Sequence, residues 1–410
     1  MNILRSTSSD VEGALYAVQR LQFTNLDRAN ELLKAHFQPH LPFSLAKAEI
    51  IPRVFSLNSI SGSFIAETGE KYFFKTHVEP NSVLGEYYNV QLLEQAGYPV
   101  VRPVFADHIP GQQIVVYPYL NSRTLFDLAG EIDLHGGDTS DLLHAQTTCD
   151  KQLLKIYFQT LEAGEATVES PVHQLFYHRL CGPRFHEFYS NAKFSLGNRE
   201  LSFSDLGSYR WVINGVRYKL TLSQLIDWAS KLLHPQSEWG PTIVGHGDAH
   251  NGNLFFDKSD GALTYFDPAF AGRHAPLLDL AKPLFHNIFA TWMYCPEEVS
   301  AILSMEHKFN GSEIEIEHNY RPSHFRRQLL ESKLKNVFQP ILHELRSGKY
   351  SRDNDSDRLR AALLCCPLLT VNLANRNRYP GAIALLGLSQ CIELASPAAS
   401  GESPFEFLNH

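Results

Sequence analysis

The side chains best suited to chemistry lie in the segment His246-Gly-Asp248-Ala-His250-Asn-Gly-Asn253, between two short apolar stretches. Asp248 and Asn253 are five residues apart on a predicted loop, and Asp267 follows fourteen residues later, at the end of a predicted strand. A loop carboxylate can orient an attacking hydroxyl and accept its proton, while oxygen ligands hold Mg²⁺ on nucleotide phosphates. This set of side chains therefore matches what metal-assisted phosphoryl transfer needs.

The same segment resembles the aminoglycoside phosphotransferase and choline kinase family, which shares the protein-kinase-like fold. His246-Gly-Asp248, Asn253 and Asp267 stand where that family has its motif, and Asp267-Pro-Ala also resembles the fructosamine kinases. The resemblance implies that Asp248 is the catalytic base and that Asn253 and Asp267 are magnesium ligands. It also implies that Asp279 is structural and bonds backbone groups around the loop.

An antiparallel sheet with one inserted helix is predicted upstream of this loop, over residues 46–119. Lys75 ends the third predicted strand, and Glu86 lies in the first turns of the predicted helix that follows. In the kinase-like fold, a Lys in this place holds the α- and β-phosphates and pairs with a Glu of the helix. A plain surface ion pair is the alternative for these two residues taken alone.

Two further segments complete the predicted ATP site. Ser61, Gly62 and Ser63 fall in a predicted turn between the first two strands, where the resemblance places the phosphate-covering loop. Pro118 and Leu120 follow the last predicted strand and would form the hinge, where adenine bonds backbone groups. The cofactors implied are ATP and Mg²⁺.

Hydrophobic periodicity predicts the elements that must position these residues. They are two helices within 1–40, strands 46–57, 61–67 and 70–78, a helix 82–96, strands 102–109 and 112–119, a loop 130–148, helices 149–163, 172–190 and 222–233, a hairpin 210–218, and a nearly all-helical chain from 276 onward. Local signals for caps and turns are Ser9 with Glu12, Asn25, Thr221 with Gln224, and Asn214-Gly215.

These elements predict an α+β fold of the bilobal protein-kinase-like type, with a small antiparallel β-sheet lobe and a larger, mostly helical lobe. Residues 1–40 are expected to form an N-terminal helical extension, 41–119 the nucleotide-binding lobe, and 120–410 the lobe with the catalytic loop. ATP is expected in the cleft between the lobes. The family resemblance places the acceptor site in the insertion 130–240 and in the C-terminal helices.

Composition excludes several other classes of protein. The chain has 410 residues, of which 44% are hydrophobic and 20% charged, as in ordinary globular domains and unlike disordered or collagenous chains. A formal charge of −8 gives no general attraction to nucleic acid or anionic membranes. The six cysteines include no C-x-x-C pair, and the apolar stretch 361–371 is too short to span a membrane. A cytoplasmic protein is expected, because the N-terminus lacks a signal-peptide core.

The predicted activity is transfer of the γ-phosphate of ATP to a hydroxyl of a small molecule. A nucleotide-binding, pseudokinase-like regulator is one alternative, and a metal-dependent hydrolase using His246, Asp248, His250 and His274 is another. A protein kinase is disfavoured because the loop reads His-Gly-Asp, because His250 replaces the usual Lys, and because no Ala-Pro-Glu string follows.

The sequence leaves the acceptor open among an amino-sugar, a sugar, a choline-like alcohol, a nucleoside and a natural product, and it leaves the oligomeric state open. A cationic acceptor would need an acidic lining. The candidates are the acids of segment 127–141, although exposed loop acids ordinarily only add solubility; they are Asp127, Glu131, Asp133, Asp138 and Asp141.

Overall fold

The computed structural model describes residues 8–52, 59–77, 86–109, 111–164, 169–236, 240–347, 350 and 355–401. The chain divides into two compact units, one of residues 1–94 and 99–122 and the other of residues 95–98 and 123–410. In chain order, the elements up to residue 122 are α1 (Ser8–Leu21), α2 (Leu26–Phe37), β1 (Leu45–Ile50), β2 (Ser59–Ala66), β3 (Lys71–His77), α3 (Glu86–Ala96), β4 (Phe105–Asp107) and β5 (Ile114–Pro118).

The remaining elements follow in the same order. They are β6 (Arg123–Thr124), α4 (Leu125–His135), α5 (Ser140–Thr160), α6 (Val172–Leu175), α7 (Tyr177–Leu180), α8 (Pro183–Tyr189), β7 (Lys193–Leu196), β8 (Arg199–Ser202), α9 (Phe203–Ser208), β9 (Arg210–Ile213), β10 (Val216–Tyr218), α10 (Leu222–Leu232), β11 (Ile243–Gly245), β12 (Leu254–Asp257), β13 (Ala262–Tyr265), β14 (Gly272–His274), α11 (Pro276–His286), α12 (Thr291–Tyr294), α13 (Pro296–Ile302), β15 (Met305–Asn310), β16 (Glu313–His318), α14 (His324–Lys333), α15 (Gln339–Arg346), α16 (Asp355–Thr370), α17 (Gly381–Ala395) and β17 (Ala398–Ser400).

The first unit is built on an antiparallel sheet with the strand order β1-β2-β3-β5-β4. Phe64 of β2 stacks on Phe74 of β3, with ring centroids 4.2 Å apart, and both side chains are fully buried. Because successive residues of a strand face opposite sides of the sheet, Lys75 lies on the face opposite to Phe74, as predicted. The strand predicted over 46–57 ends at Ile50, and residues 53–58 lie outside the described part of the chain.

The turn predicted at Ser61, Gly62 and Ser63 is wrong, because these residues lie inside β2. Their predicted contact with the phosphates stays a prediction. Ser61 is paired with Lys75 of the neighbouring strand β3. A Cβ atom at Gly62 would clash with the backbone carbonyl oxygen of Glu49 in β1. The small residues that suggested a turn instead let two strands approach closely, which is a common use of glycine within a sheet.

The two N-terminal helices pack on the sheet and share its core. Val18 of α1 and Leu33 and Phe37 of α2 are buried in the same hydrophobic cluster as Phe64. The predicted cap of α2 is confirmed, because Asn25 Oδ1 accepts the Arg28 N–H at 3.2 Å. The segment predicted as an extension therefore supplies apolar side chains to the core of the first unit. The capping box predicted at Ser9 and Glu12 lies outside the described side chains.

The loop predicted over 130–148 is wrong, since most of it is helical in α4 and α5. Helix α4 ends at His135, and the next residue, Gly136, has a φ of +70° that suits glycine and stops the helix. Leu142, Ala145 and Cys149 of α5 are buried at helical spacing. The polar composition of this segment reflects its short connection and the exposed faces of two amphipathic helices.

The nearly all-helical chain predicted from residue 276 is also wrong at two places, the hairpin of β15 and β16 and the short strand β17. In β16, Ile314 and Ile316 are buried between exposed or half-buried acids, and this period of two is typical of a strand. Strand β16 pairs in parallel with β9, in the mixed sheet β15-β16-β9-β10-β17. The hairpin predicted over 210–218 is confirmed, with positive φ at Asn214 and Gly215.

Buried helices form the core of the second unit. Cys365 and Cys366 of α16 are 2% and 1% exposed and belong to this core, as predicted. The predicted capping box of Thr221 and Gln224 is present at the start of α10. In the described part of the chain, no helix is both long and apolar enough to cross a membrane.

Glu393 of α17 is a buried acid, and burial raises its pKa to about 8, with Arg321 opposing the rise. The folded state therefore keeps this proton at a pH where the unfolded chain releases it. The contribution of Glu393 to the free energy of unfolding falls as the pH rises from about 4.5 to 8, by on the order of 4 kcal/mol. We expect Glu393→Gln to remove this pH dependence and to be more stable than the wild type at pH 8.

The comparison uses urea denaturation of both proteins at pH 5 and pH 8. Glu297→Gln, at an exposed acid of α13, serves as the control and should follow the wild type at both values. Parallel pH profiles for wild type and Glu393→Gln would show that the Glu393 side chain is not protonated in the folded protein.

Candidate active site

The predicted catalytic loop joins β11 to β12 in the second unit. It contains a short 3₁₀ turn over Asn251–Asn253, capped by the His250 Nδ1 atom, which accepts the Gly252 N–H at 3.0 Å. Gly247 has a φ of +79°, and a Cβ atom at this residue would clash with the Phe270 carbonyl oxygen. Only glycine fits this turn. The turn carries the chain away from β11 and is followed directly by Asp248.

The three residues predicted to carry the chemistry are brought together by strand register. Leu254 pairs with Tyr265 in the antiparallel strands β12 and β13, so Asn253 lies opposite Phe266, and Asp267 comes next. The Phe266 N–H donates to the Asn253 carbonyl oxygen at 3.1 Å. The Asn253 side-chain Nδ2 donates to the Asp248 carbonyl oxygen at 2.9 Å. The sequence-predicted Asp248, Asn253 and Asp267 thus belong to one small site.

Asp279 of α11 anchors the catalytic loop, as the resemblance implied. Its Oδ1 accepts the Gly247 N–H at 2.5 Å, and its Oδ2 accepts the Tyr157 hydroxyl at 2.5 Å. Asp279 is 1% exposed, so both bonds are shielded from water. Tyr157 lies on α5, far from Asp279 in the sequence. No sequence pattern predicts the hydrogen bond between these two residues.

We expect Asp279→Ala to lower the free energy of unfolding by about 3 kcal/mol, because it leaves the buried Gly247 N–H and Tyr157 hydroxyl without their charged acceptor. Tyr157→Phe removes one of the two bonds and should cost about 1 kcal/mol. Urea denaturation of the three proteins measures the differences. A loss for Asp279→Ala no larger than that for Tyr157→Phe would contradict the anchoring role.

Asp248 lies beside a buried lysine and a histidine. Its Oδ1 atom is buried, without a hydrogen-bond partner among the described residues, although the side chain as a whole keeps 18% exposure. Lys282 Nζ lies 3.8 Å and His250 Nε2 3.9 Å from this atom. Burial raises the pKa of the Asp248 carboxyl, but Lys282, His250 and Arg179 outweigh burial and hold this pKa below its usual value. Asp248 is therefore ionised near neutral pH.

No role was predicted for Lys282 from the sequence. In the structure it is 4% exposed and lies beside the predicted catalytic loop. Its ammonium donates to His286 Nε2 at 3.0 Å, and His286 Nδ1 lies 2.7 Å from the Tyr294 hydroxyl. Because an ammonium can only donate, Nε2 accepts, and burial lowers the pKa of His286 so that it stays neutral. The sequence does contain a signal for Lys282. Asp279, Lys282 and His286 are spaced so that they fall on one face of an otherwise apolar helix.

The donor set at Asn253 and Asp267 fits a magnesium ion that also binds nucleotide phosphates. The Asn253 amide nitrogen is fixed on the Asp248 carbonyl, which leaves the amide oxygen for a metal. Asp267 has a φ of +57°, a left-handed conformation that is uncommon for non-glycine residues and is enriched at active sites as well as in turns. Mg²⁺ commonly binds through one or two protein ligands plus phosphates and water.

Several ring nitrogens of the histidines in the hydrolase alternative make structural hydrogen bonds, although the Nδ1 atom of His246 is buried without a partner among the described residues. His246 Nε2 bonds the Phe266 carbonyl oxygen at 3.0 Å. His274 uses both ring nitrogens, bonding the Ser170 hydroxyl at 3.0 Å and the Phe270 carbonyl at 2.9 Å. Over the described ranges, no group of three or more His, Cys, Asp or Glu side chains is placed to hold a metal ion by itself.

Two of the acids of segment 127–141 pair with arginines within the protein. Asp133 accepts from Arg326 Nε at 2.8 Å and from the Ser323 hydroxyl at 2.6 Å, which links α4 to α14. Glu131 pairs with Arg123 at 2.7 Å. The structure does not bring this segment to Asp248 through any of these contacts, so it offers no support for an acidic lining.

Of the predicted nucleotide residues of the first unit, Lys75 and Pro118 lie on its sheet. Lys75 in β3 is half-buried and is paired with Val115 of β5. Pro118 ends β5, and Leu120 lies in the irregular segment that follows, as the predicted hinge requires. Glu86 begins α3, but its side chain is outside what the structure describes, so the predicted pair with Lys75 stays a prediction.

Comparison with known families gives one match. The model of the family described as "Phosphotransferase enzyme family" matches residues 63–305, which is more than half of the chain and includes the catalytic loop. A search of curated proteins finds no match.

Similar solved structures include a Plasmodium vivax ethanolamine kinase, which is 10% identical, with 97% of this chain and 96% of that chain covered and a TM-score of 0.49. A thermostable mutant of an aminoglycoside phosphotransferase, solved with AMP-PNP and hygromycin B, is 12% identical, with coverages of 88% and 97% and a TM-score of 0.48. A macrolide 2'-phosphotransferase type I is 12% identical, with coverages of 91% and 97% and a TM-score of 0.42. With TM-scores this low, these likenesses add no argument to the family match.

Proposed function

Because this chain belongs to the phosphotransferase enzyme family, we propose that it transfers the γ-phosphate of ATP to a hydroxyl of a small molecule, with Mg²⁺. The observation that carries the proposal is the loop that places an ionised Asp248 together with Asn253 and Asp267. A base and two oxygen ligands in this arrangement are what phosphoryl transfer requires.

In this reaction the Asp248 carboxylate accepts a hydrogen bond from the acceptor hydroxyl and turns its oxygen toward the γ-phosphorus. A bond forms between that oxygen and phosphorus, and the bond from phosphorus to the β–γ bridging oxygen breaks. The hydroxyl proton passes to Asp248, and ADP leaves with the bond's electron pair. Because Asp248 is fixed by the Asp279 anchor and the Asn253 bond, orientation supplies much of the rate.

Asn253 Oδ1 and the Asp267 carboxylate would hold Mg²⁺ against the nucleotide phosphates. The ion would neutralise phosphate charge and orient the γ-phosphate for attack. In the same proposal the first unit binds the nucleotide, with Lys75 positioning the phosphates and Glu86 holding Lys75. The backbone near Pro118 and Leu120 binds adenine, and the second unit carries the catalytic loop.

Calorimetric titration of the purified protein with ATP, with and without Mg²⁺, tests the proposal. Micromolar to sub-millimolar binding that strengthens with Mg²⁺ is the expected result, and it would be followed by a screen of hydroxylated metabolites for phosphate transfer. The screen includes amino-sugars, sugars, choline-like alcohols, nucleosides and natural products. Binding without any effect of Mg²⁺ would point to nucleotide sensing instead, and no binding of ATP or GTP would overturn the proposal.

A further inference from the structure

The predicted catalytic loop is bonded at a second point, on the C-terminal side of Asp248. The Asn287 side-chain Oδ1 accepts the Asn251 N–H at 2.7 Å. Asn251 begins the 3₁₀ turn that ends at Asn253, and its N–H is one of the donors that the first turn of a helix cannot satisfy internally. Asn251 and Asn287 are 0% and 4% exposed, so this bond is shielded from water.

Both bonds to the loop come from the two ends of one helix, α11. Asp279 lies in the first turn of this helix, and Asn287 caps its C-terminal end. Asp279 accepts the N–H of Gly247, the residue directly before Asp248. Asn287 accepts the N–H of Asn251, three residues after Asp248. The helix therefore holds the loop on both sides of the candidate base.

Arg326 of α14 fixes Asn287 in turn. Its Nη1 atom donates to the Asn287 carbonyl oxygen at 2.7 Å, and its Nε atom donates to Asp133 of α4 at 2.8 Å. The Asp133 carboxylate also accepts the Ser323 hydroxyl at 2.6 Å. The side chains of Arg326 and Asp133 are 3% and 11% exposed. Because a guanidinium is planar and rigid, its two bonds fix the position of Asn287 relative to α4 and α14.

We propose that Asn287 is a positioning residue for phosphate transfer and that Arg326 acts through it. This inference rests on the proposed function, because it assigns a use to the orientation of the loop. Asn251 lies between the candidate base and the predicted magnesium ligand of the same loop, so its bond holds these two groups in one arrangement. Misplacing a reacting group by about 1 Å can lower the rate about a hundredfold.

Asn287→Ala removes the acceptor of the Asn251 N–H, and we expect it to lower kcat for phosphate transfer about 10- to 100-fold. Its affinity for ATP without Mg²⁺, measured by calorimetry, should equal that of the wild type, because the proposed nucleotide residues lie in the first unit. Asn287→Asp keeps an acceptor oxygen in nearly the same shape and should retain most of the wild-type kcat. Equal losses of kcat in both variants would show that the hydrogen bond is not what the reaction needs.

Lys333 is the matched control for Arg326, because both are buried cations of α14 that pair with a carboxylate. The partner of Lys333 is Asp150 of α5. Arg326→Met and Lys333→Met each leave a carboxylate unpaired, so both should lower the melting temperature. Only Arg326→Met loses the bond to Asn287, and only this variant should also lower kcat. Equal losses of kcat in the two variants would show that Arg326 acts on stability alone.

Hydrogen exchange followed by mass spectrometry tests the bond without a transfer assay. Peptides that contain Asn251 should exchange faster in Asn287→Ala and Arg326→Met than in the wild type, and Lys333→Met should leave their exchange unchanged. Unchanged exchange in Asn287→Ala would overturn the inference, as would faster exchange with the wild-type kcat. Absence of transfer by the wild type to every acceptor of the screen and to water would instead overturn the proposed function. The exchange result would still decide whether Asn287 holds the loop.

Discussion

Asp248→Asn is expected to lower the rate of phosphate transfer by about 10²–10⁴-fold while ATP still binds. The amide has nearly the shape of the carboxylate, but it cannot accept the hydroxyl proton. It also removes the negative charge that faces Lys282 at 3.8 Å and His250 at 3.9 Å. Transfer to an acceptor from the screen, or to water, measures the rate, and calorimetry measures ATP binding.

Asp260→Asn is the matched control, because Asp260 is an exposed residue of the β12–β13 turn in the same unit. It should turn over like the wild type. Unchanged turnover of Asp248→Asn would remove Asp248 from the mechanism. Loss of ATP binding together with turnover would show that Asp248 acts in binding and not in proton transfer.

Asp267→Ala is expected to abolish the dependence of nucleotide binding on Mg²⁺. The substitution removes the one charged ligand of the proposed metal pair and leaves Asn253, a neutral amide, as the remaining ligand. Hard divalent cations depend on such carboxylate oxygens for their binding. The measurement is the ratio of ATP affinities with and without Mg²⁺, which should approach one in the variant.

Asp267→Asn separates the effect of charge from the effect of backbone conformation. Asp267 has a φ of +57°, which asparagine tolerates better than alanine does. The asparagine variant should therefore melt like the wild type and still lose most of the Mg²⁺ effect, while Asp260→Ala should keep it. Intact Mg²⁺-dependent affinity in both Asp267 variants would show that this residue is not a metal ligand.

The sequence by itself determined the family and the order of the residues in the predicted catalytic loop. Asp248, Asn253 and Asp267 were recognisable because their spacing is local and the strands between them have a plain alternating pattern. The antiparallel sheet with Lys75 and the hairpin at Asn214-Gly215 were predicted for the same reason, since turn residues and period-two patterns act over short distances. The role of Asp279 as the loop's anchor was implied by the resemblance and agrees with its bond to Gly247.

Where local signals were ambiguous, or where contacting residues are distant in the sequence, only the tertiary structure decided the conformation and the contacts. Small residues at 61–63 suggested a turn, but pairing on both sides made them part of a strand. Tyr157 reaches Asp279 across 122 residues, and Lys282 approaches Asp248 from α11, although no local pattern connects this lysine to the predicted catalytic loop. The charge around the candidate base is a sum over side chains from several helices. It depends on packing, which a linear pattern does not encode, and so only the folded chain could show which charges face Asp248.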